Sequence, residues 1–299
     1  MKIFNKYILS VLVFVFAFVI YLMTTAPDLM FTDCGELAGV CTTLGIAHPT
    51  GYPLFTILGF LWTKIPLPLS KIHSLNIFAA FLTAMSVLVF YHLSFLIFDY
   101  LAGMEIVKQK VRSQNRKLHR KGTAFGKFRS TELDKTAIGL ISLAVALMYA
   151  FAGTVWSQAL SIEVYSLQAL LLNLILFTFI KAVLNNDTKY FMLSAFFLGL
   201  GFSNHMTTLL VLPAIFLMYF KRPGEKFNFS GGIYKTLALL IIPFIIGLSF
   251  YLYMPLRSAS MPEFNWGWVS RSWAKFYYHL SARQYQVWMF SIFRYSGDF

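Results

Sequence analysis

Apolar stretches of about twenty residues recur along this chain of 299 residues, and they limit its fold more than any motif does. The hydrocarbon core of a bilayer takes about 20 residues of helix, whose backbone groups must bond within their own segment. Composition agrees with that reading. Of the residues, 58% are hydrophobic, 18% aromatic and only 12% charged, against about 25% charged in a soluble domain. The pattern predicts an all-α polytopic membrane protein.

Seven spans are expected, at approximately 7–25, 74–98, 136–156, 164–182, 189–204, 206–220 and 236–255. The fifth and sixth are short, meet near Asn204-His205, and fit tilted helices or a locally thinned bilayer. Between the first two spans lie apolar pieces at 35–46 and 53–65, too short to cross and suited to interfacial helices. Residues 1–255 thus read as one transmembrane domain, with an external loop 26–73 and a basic cytoplasmic loop 99–135. Residues 256–299 read as an external aromatic segment, with an interfacial helix over 270–292. Its Trp266, Trp268, Trp273, Tyr277 and Tyr278 suit the headgroup level.

Charge distribution sets the orientation. With the N-terminus inside, segments 1–6, 99–135, 181–189 and 220–235 carry two, ten, two and four Lys/Arg, eighteen of the 25. Such loops stay on the cytoplasmic side. The net charge of +13 is therefore an orientation signal, and no aromatic-interleaved basic groove for nucleic acid is present. Lys2 and Lys6 before an apolar core, with Thr24-Thr25-Ala26 after it, also resemble a signal peptide. The core is long for one, and cleavage would put Asp33 almost at a free N-terminus, so an uncleaved span is expected. Cys34 and Cys41, about 10 Å apart on a helix, are expected as free thiols.

On this topology every polar cluster falls on the external face. Asp33 and Glu36 stand three apart, which one helical turn places on one side. The pair fits a capping box for a helix starting at Cys34, and it also fits a rigidly held catalytic carboxylate. His48, in His48-Pro49-Thr50-Gly51-Tyr52-Pro53, reads either as part of a turn or as a donor to an anionic ligand. Glu163 and Tyr165 stand between the third and fourth spans, as solvated end residues or as site residues. Asn204 and His205 need buried partners. Arg257 follows the last span and suits either snorkelling or bidentate contact with phosphate. Walker, dinucleotide and HExxH motifs are absent.

The stretch Asp33-Cys34-Gly35-Glu36-Leu37, followed by Gly45-Ile46-Ala47-His48-Pro49-Thr50-Gly51-Tyr52-Pro53-Leu54-Phe55, resembles the signature of the protein O-mannosyltransferase-like membrane family. Glu163-Val164-Tyr165, Asn204-His205, Pro255-Leu256-Arg257-Ser258-Ala259, Asn265-Trp266-Gly267 and Arg283-Gln284-Tyr285 fit its pattern, over about residues 20–290. Thr50 stands where a second proline is common, and members are usually much longer. The resemblance implies a GT-C bundle with two interfacial helices in its first external loop. It implies sugar transfer, mannose by analogy, from a polyprenyl-phosphate carrier to a protein Ser/Thr hydroxyl. Asp33 is then the catalytic carboxylate. Glu36, His48, Glu163, Tyr165, Asn204, His205, Arg257 and Arg283 are the expected substrate-binding residues. The expected partners are the lipid-linked sugar, an acceptor protein and membrane lipid, with no cofactor and no metal. One sugar-phosphate bridging Asp33 and Arg257 requires them within about 15 Å across an open cavity. The competing readings are a secondary transporter or channel, and a scaffold without chemistry.

Overall fold

Helix follows helix through the described residues of the computed structural model, 6–30, 32–118, 132–221 and 227–289. A single parallel bridge, Ile46 to Asn265, is the exception among them. In chain order the helices are α1 (Lys6–Thr24), α2 (Cys34–Thr43), α3 (Pro53–Trp62), α4 (Lys71–Leu118), α5 (Glu132–Ala150), α6 (Gly153–Leu160) and α7 (Val164–Asn185). There follow α8 (Thr188–Asn204), a 3₁₀ turn Met206–Val211, α9 (Leu212–Phe220), α10 (Gly231–Leu248) and a 3₁₀ turn Ser249–Leu252. The chain closes with α11 (Tyr253–Ala259), a 3₁₀ segment Trp266–Arg271, α12 (Trp273–Leu280) and α13 (Arg283–Met289).

Four helices among the described residues are long and apolar enough to cross a membrane: α1, Lys71–Met104 of α4, α7, and the run Gly231–Ala259. They are compatible with an integral membrane protein. The expected third span is bent instead of straight, because α5 and α6 meet at 62° around Phe151-Ala152. The break is stabilised where it forms, since Tyr21 donates its hydroxyl to the Ala150 carbonyl at 2.7 Å. The pieces expected at 189–204 and 206–220 are α8, of 17 residues, and the shorter run Met206–Phe220.

Two other expectations are corrected. The basic loop 99–135 starts as helix, because α4 continues unbroken to Leu118, while 119–131 lie outside the described residues. The helix expected over 270–292 is two helices, α12 and α13, divided at Ser281-Ala282, where Ala282 has φ 50°. Residues 290–292 also lie outside the described residues. Cys34 and Cys41 are free and buried, as their spacing predicts.

The bundle has two chemically different ends. At one, Lys6, Asp99 and Lys135 surround a cavity of about 240 Å³. At the other, one buried side chain gathers two loops. Asn76 of α4, fully buried, donates to the Ala26 and Asp28 carbonyls at 2.9 and 3.1 Å and accepts from the Ile162 N–H at 2.9 Å. Ala26 N–H also donates to the Leu160 carbonyl at 2.8 Å. The segment leading to Asp33 and the segment leading to Glu163 are therefore held to the same helix. Buried backbone groups left unpaired are costly, so this tie fixes both segments.

Helices α8 and α10 approach until backbone meets backbone. A Cβ on Gly199 would overlap the Phe244 carbonyl oxygen, and one on Gly247 would overlap that of Phe196. The C-terminal segment folds back over the first loop. Ile46 N–H donates to the Phe264 carbonyl at 2.7 Å, and Trp266 N–H to the Ile46 carbonyl at 3.2 Å.

Candidate functional site

Asp33 occupies the N-cap position of α2, but its carboxylate makes no capping bond. Glu36 does not complete a capping box either; it turns to the next loop. Its Oε1 accepts from the His48 backbone N–H at 2.7 Å, and its Oε2 pairs with His48 Nδ1 at 3.0 Å. The capping reading is thereby overturned: a charge-assisted bond to a histidine is stronger than one to a solvent-accessible helix N–H. On the opposite edge of the ring, His48 Nε2 lies 2.9 Å from the Tyr52 hydroxyl and 3.7 Å from Asp33 Oδ2. His48 is thus a bridge between two carboxylates. Its side chain is 10% exposed, that of Glu36 21%, and that of Asp33 51%. Exposure rises toward Asp33, which is the member open to a ligand.

The hydrogen bonds fit a doubly protonated His48. Nδ1–H donates to Glu36, Nε2–H donates to Tyr52, and the Tyr52 hydroxyl passes its own hydrogen to the Pro49 carbonyl at 3.2 Å. Burial pushes the His48 imidazole down, but the bond to Glu36 and the charges of Glu36, Asp33 and Glu163 outweigh it and hold the group above its ordinary range. For Glu36, burial pushes up and the His48 ring and backbone bonds prevail, holding it low. Tyr52, Trp266 and Tyr285 surround the ring at centroid distances of 5.1, 6.2 and 6.3 Å.

Asp33, Glu36 and His48 each offer an atom within 4.8 Å of the others, a spacing that a metal ion could use. Yet the carboxylates flank opposite ring nitrogens, and Glu36 spends both oxygens on His48. As the side chains stand, His48 bridges the two carboxylates.

Glu163 comes to the same place from the start of α7. Burial, then the Asp33 charge, push it up to about 7, against the opposing pull of His48 and a bond from the Asp33 backbone. Tyr165, 44% exposed, lies beside His205, with ring centroids 5.0 Å apart. His205 in turn stacks on Tyr52 at 5.9 Å and 13°. Its Nδ1 caps the following 3₁₀ turn, accepting from the Thr207 N–H at 3.2 Å. Asp33, Glu36, His48, Glu163, Tyr165 and His205 are therefore one contiguous group. Asn204 stands behind it, fully buried, donating to the Val164 carbonyl at 3.2 Å and to Gln168 Oε1 at 2.9 Å. It ties α8 to α7.

Arg257 lies at the other end of α2. Its Nε donates to the Leu44 carbonyl at 2.7 Å and its Nη2 to the Thr43 carbonyl at 3.2 Å, while Nη1 donates to Ser260 Oγ at 2.9 Å. A guanidinium there satisfies the last carbonyls of α2 and complements its dipole. Ten residues of helix separate it from Asp33, roughly 15 Å at 1.5 Å per residue. Arg283 is exposed at the start of α13, two residues from the Tyr285 ring that faces His48.

Tyr52, Asn76 and Trp266 were not singled out from sequence as site residues, although all three build this site. Tyr52 has φ 43°, uncommon for a non-glycine residue, and that turn places its hydroxyl under His48. Asn76 sits in an apolar helix with nothing in the local pattern to mark it beyond its polarity.

Comparison with known proteins gives the context. A family model described as "Protein O-mannosyl-transferase TMEM260 N-terminal domain" matches residues 33–228, well over half of the chain. The protein from Dictyostelium discoideum named "Protein O-mannosyl-transferase tmem260" is 26% identical over 276 residues, covering 86% of this chain and 28% of that protein. The Mus musculus "Protein O-mannosyl-transferase TMEM260" is 25% identical over 268 residues, covering 86% of this chain and 32% of its own length. The chain thus spans about a third or less of the curated relatives it matches. The match begins at Asp33 and takes in Glu36, His48, Glu163, Tyr165, Asn204 and His205, and on it the chain belongs to the family of TMEM260 N-terminal domains.

Proposed function

We propose that this chain is the catalytic membrane part of a glycosyltransferase that moves mannose from a polyprenyl-phosphate carrier to a Ser/Thr hydroxyl of a protein. The observation that carries the proposal is Asp33, an uncapped, half-exposed carboxylate beside a histidine held in place by Glu36. The relatives' names supply mannose and the protein acceptor. In this reading the architecture is GT-C-like with seven spans, counting the α5–α6 pair, α8 and the Met206–Phe220 run. Helices α2 and α3 lie at the interface. The N-terminus is cytoplasmic and the site faces the periplasm or lumen, in the inner membrane if the cell is bacterial.

The reaction is a single displacement. The acceptor oxygen bonds to the anomeric carbon as the bond from that carbon to the phosphate oxygen breaks, with inversion. Asp33 takes the hydroxyl proton, and the polyprenyl phosphate leaves with the bonding pair. Positioned base catalysis is worth roughly 10²- to 10⁴-fold. The His48 imidazolium adds positive field where phosphate charge develops. Glu163, partly protonated near neutral pH, offers a hydrogen bond to a sugar hydroxyl, and the Tyr165, His205 and Tyr52 rings provide a wall for the sugar. Arg257, through its unused donors, and Arg283 bind the phosphate.

A lipid carrier is supported by an apolar groove near His205. An apolar groove of about 600 Å³ starts at Met206, next to His205, and runs between Phe202, Leu248, Leu252, Phe276 and Leu280. A transport pathway is less well supported, because a chain of polar groups inside the bundle is spent on itself. Gln168 donates to Thr208 and accepts from Asn204, and Asn173 donates to Ser86 and Tyr149.

The test uses purified protein, radiolabelled mannosyl-phosphoryl polyprenol and a Ser/Thr-containing acceptor. Wild type transfers label in a lipid-dependent manner, and Asp33→Asn, melting at the same temperature, loses at least about 100-fold. Equal transfer by the folded variant removes Asp33 from the role of base.

A further inference from the structure

His279 on α12 plays no part in the chemistry above, yet its setting is the most constrained of any histidine among the described residues. The residue is 2% exposed, and its Nε2 is buried without a hydrogen-bond partner. The ring lies in a slot between two turns, each with a glycine facing it. A Cβ on Gly267 would stand 2.8 Å from His279 Nδ1, and one on Gly51 would stand 3.2 Å from Nε2. Both glycines have positive φ, 73° and 89°. The slot needs glycine twice over, for conformation and for space.

Those turns are the two that hold His48. Gly51 belongs to the loop running from His48 to Tyr52, and its own N–H donates back to the His48 carbonyl at 2.7 Å. Gly267 follows Trp266, whose ring faces His48. A Cβ on Gly51 would also meet Met254 at 2.7 Å, so the loop packs against Met254 and His279 together. We propose that His279 is a positioning residue for the Asp33–His48–Glu36 array, a ring wedged between the 265–268 and 48–52 turns that sets where His48 stands.

Neutrality follows from the surroundings. Burial pushes His279 down to about 4, and the nearby His48 charge pushes it the same way, against the Ala47 backbone and Glu36. The titratable groups acting on it are His48 and Glu36. A second cation beside the His48 imidazolium is thereby avoided. The ring's bond to the Ala47 backbone adds to the wedge, but the role is mainly one of shape, so a planar ring filling the slot keeps most of it.

The catalytic half of the test rests on the transferase reading; the other half does not. Protein labelled with ¹⁵N in its histidine rings is titrated in detergent micelles, with His48→Gln assigning the His48 signal. In His279→Ala the His48 midpoint falls toward its ordinary value by about 0.5 pH unit or more. In His279→Phe it stays within about 0.2 of wild type. Mannosyl transfer by His279→Ala drops at least about tenfold in kcat with KM for the acceptor unchanged, and His279→Phe retains most of it. Should His279→Ala fail to fold, Gly267→Ala presses on the ring from outside the array and gives the same His48 shift. A His48 midpoint unmoved in the folded variant, with only the melting temperature lowered, overturns the proposal. Wild-type protein without transferase activity leaves the titration result standing, so the two readings fail separately.

Discussion

His48 and Glu36 are joined twice, the backbone N–H of His48 to one carboxylate oxygen at 2.7 Å and its ring Nδ1 to the other at 3.0 Å. One side chain thus fixes both the path of the 48–52 loop and the rotation of the ring. A capping role for Glu36 would have left the loop unattached. The first loop is therefore organised around an ion pair, with α2 and α3 arranged on either side of it.

That pair has a pH window. Glu36 is held below its ordinary 4.5, so its contribution is complete above that value and is lost as pH falls through the lowered one. His48 is held above its ordinary 6.5, so its contribution is complete below that value and is lost as pH rises through the raised one. Wild type should exceed Glu36→Gln in melting temperature most clearly between these two ordinary values. Scanning fluorimetry in detergent from pH 4 to 9 measures the difference. A gap of constant size across the range would mean that the pair is not charged.

Glu163 shows the opposite behaviour. Its native form keeps a proton up to about pH 7, whereas the unfolded chain releases it near 4.5. The stability this proton confers is full below 4.5, declines as pH rises and is gone above 7. Glu163→Gln, which is neutral at every pH, should gain on wild type as pH goes from 5 to 8. Melting curves at four pH values suffice, and parallel curves would assign Glu163 an ordinary carboxylate.

Asn76→Ala should be among the most damaging polar substitutions. It removes two donor bonds and one acceptor bond at once, leaving the Ala26 and Asp28 carbonyls and the Ile162 N–H without their partner. At about 1–3 kcal/mol for each group so orphaned, the three together should cost roughly 3–9 kcal/mol, and the loops bearing Asp33 and Glu163 should become protease-sensitive. Limited proteolysis at equal folded fraction checks this. Unchanged cleavage would deny Asn76 its tying role.

Two glycines should respond to alanine with opposite signs. Gly199 faces the Phe244 carbonyl directly, so Gly199→Ala forces α8 and α10 apart and should cost about 1–3 kcal/mol. Gly103, exposed within α4, has no other atom within 4 Å of a Cβ placed there. Gly103→Ala should stabilise by about 0.5–1 kcal/mol through helix propensity alone. Thermal melts of the two variants side by side distinguish packing from propensity.

The members of this side-chain cluster were legible in the sequence. Asp33, Glu36, His48, Glu163, Tyr165 and His205 are polar residues at the edges of apolar runs, a pattern that hydropathy reveals directly. The bend at Phe151-Ala152 was not visible, because the apolar pattern runs through it and the Tyr21 hydroxyl that stabilises it comes from 129 residues away. Nor was the division between α12 and α13, where aromatic residues continue without a proline to mark a stop. The direction in which Glu36 points could not be read either. A glutamate at the third helical position fits a capping box, and only the His48 N–H, twelve residues on, draws it elsewhere.

Periodic apolarity determined by itself that this chain is helical and can cross a membrane, since backbone groups in hydrocarbon must bond locally and that demand is written into every stretch of twenty residues. Tertiary structure alone decided which polar residues meet. The Asn76 tie, the His48 bridge, the Arg257 cap on α2 and the His279 slot each join segments far apart in sequence. Such contacts depend on how helices pack, and packing is a property of the whole bundle, which no local window of residues contains.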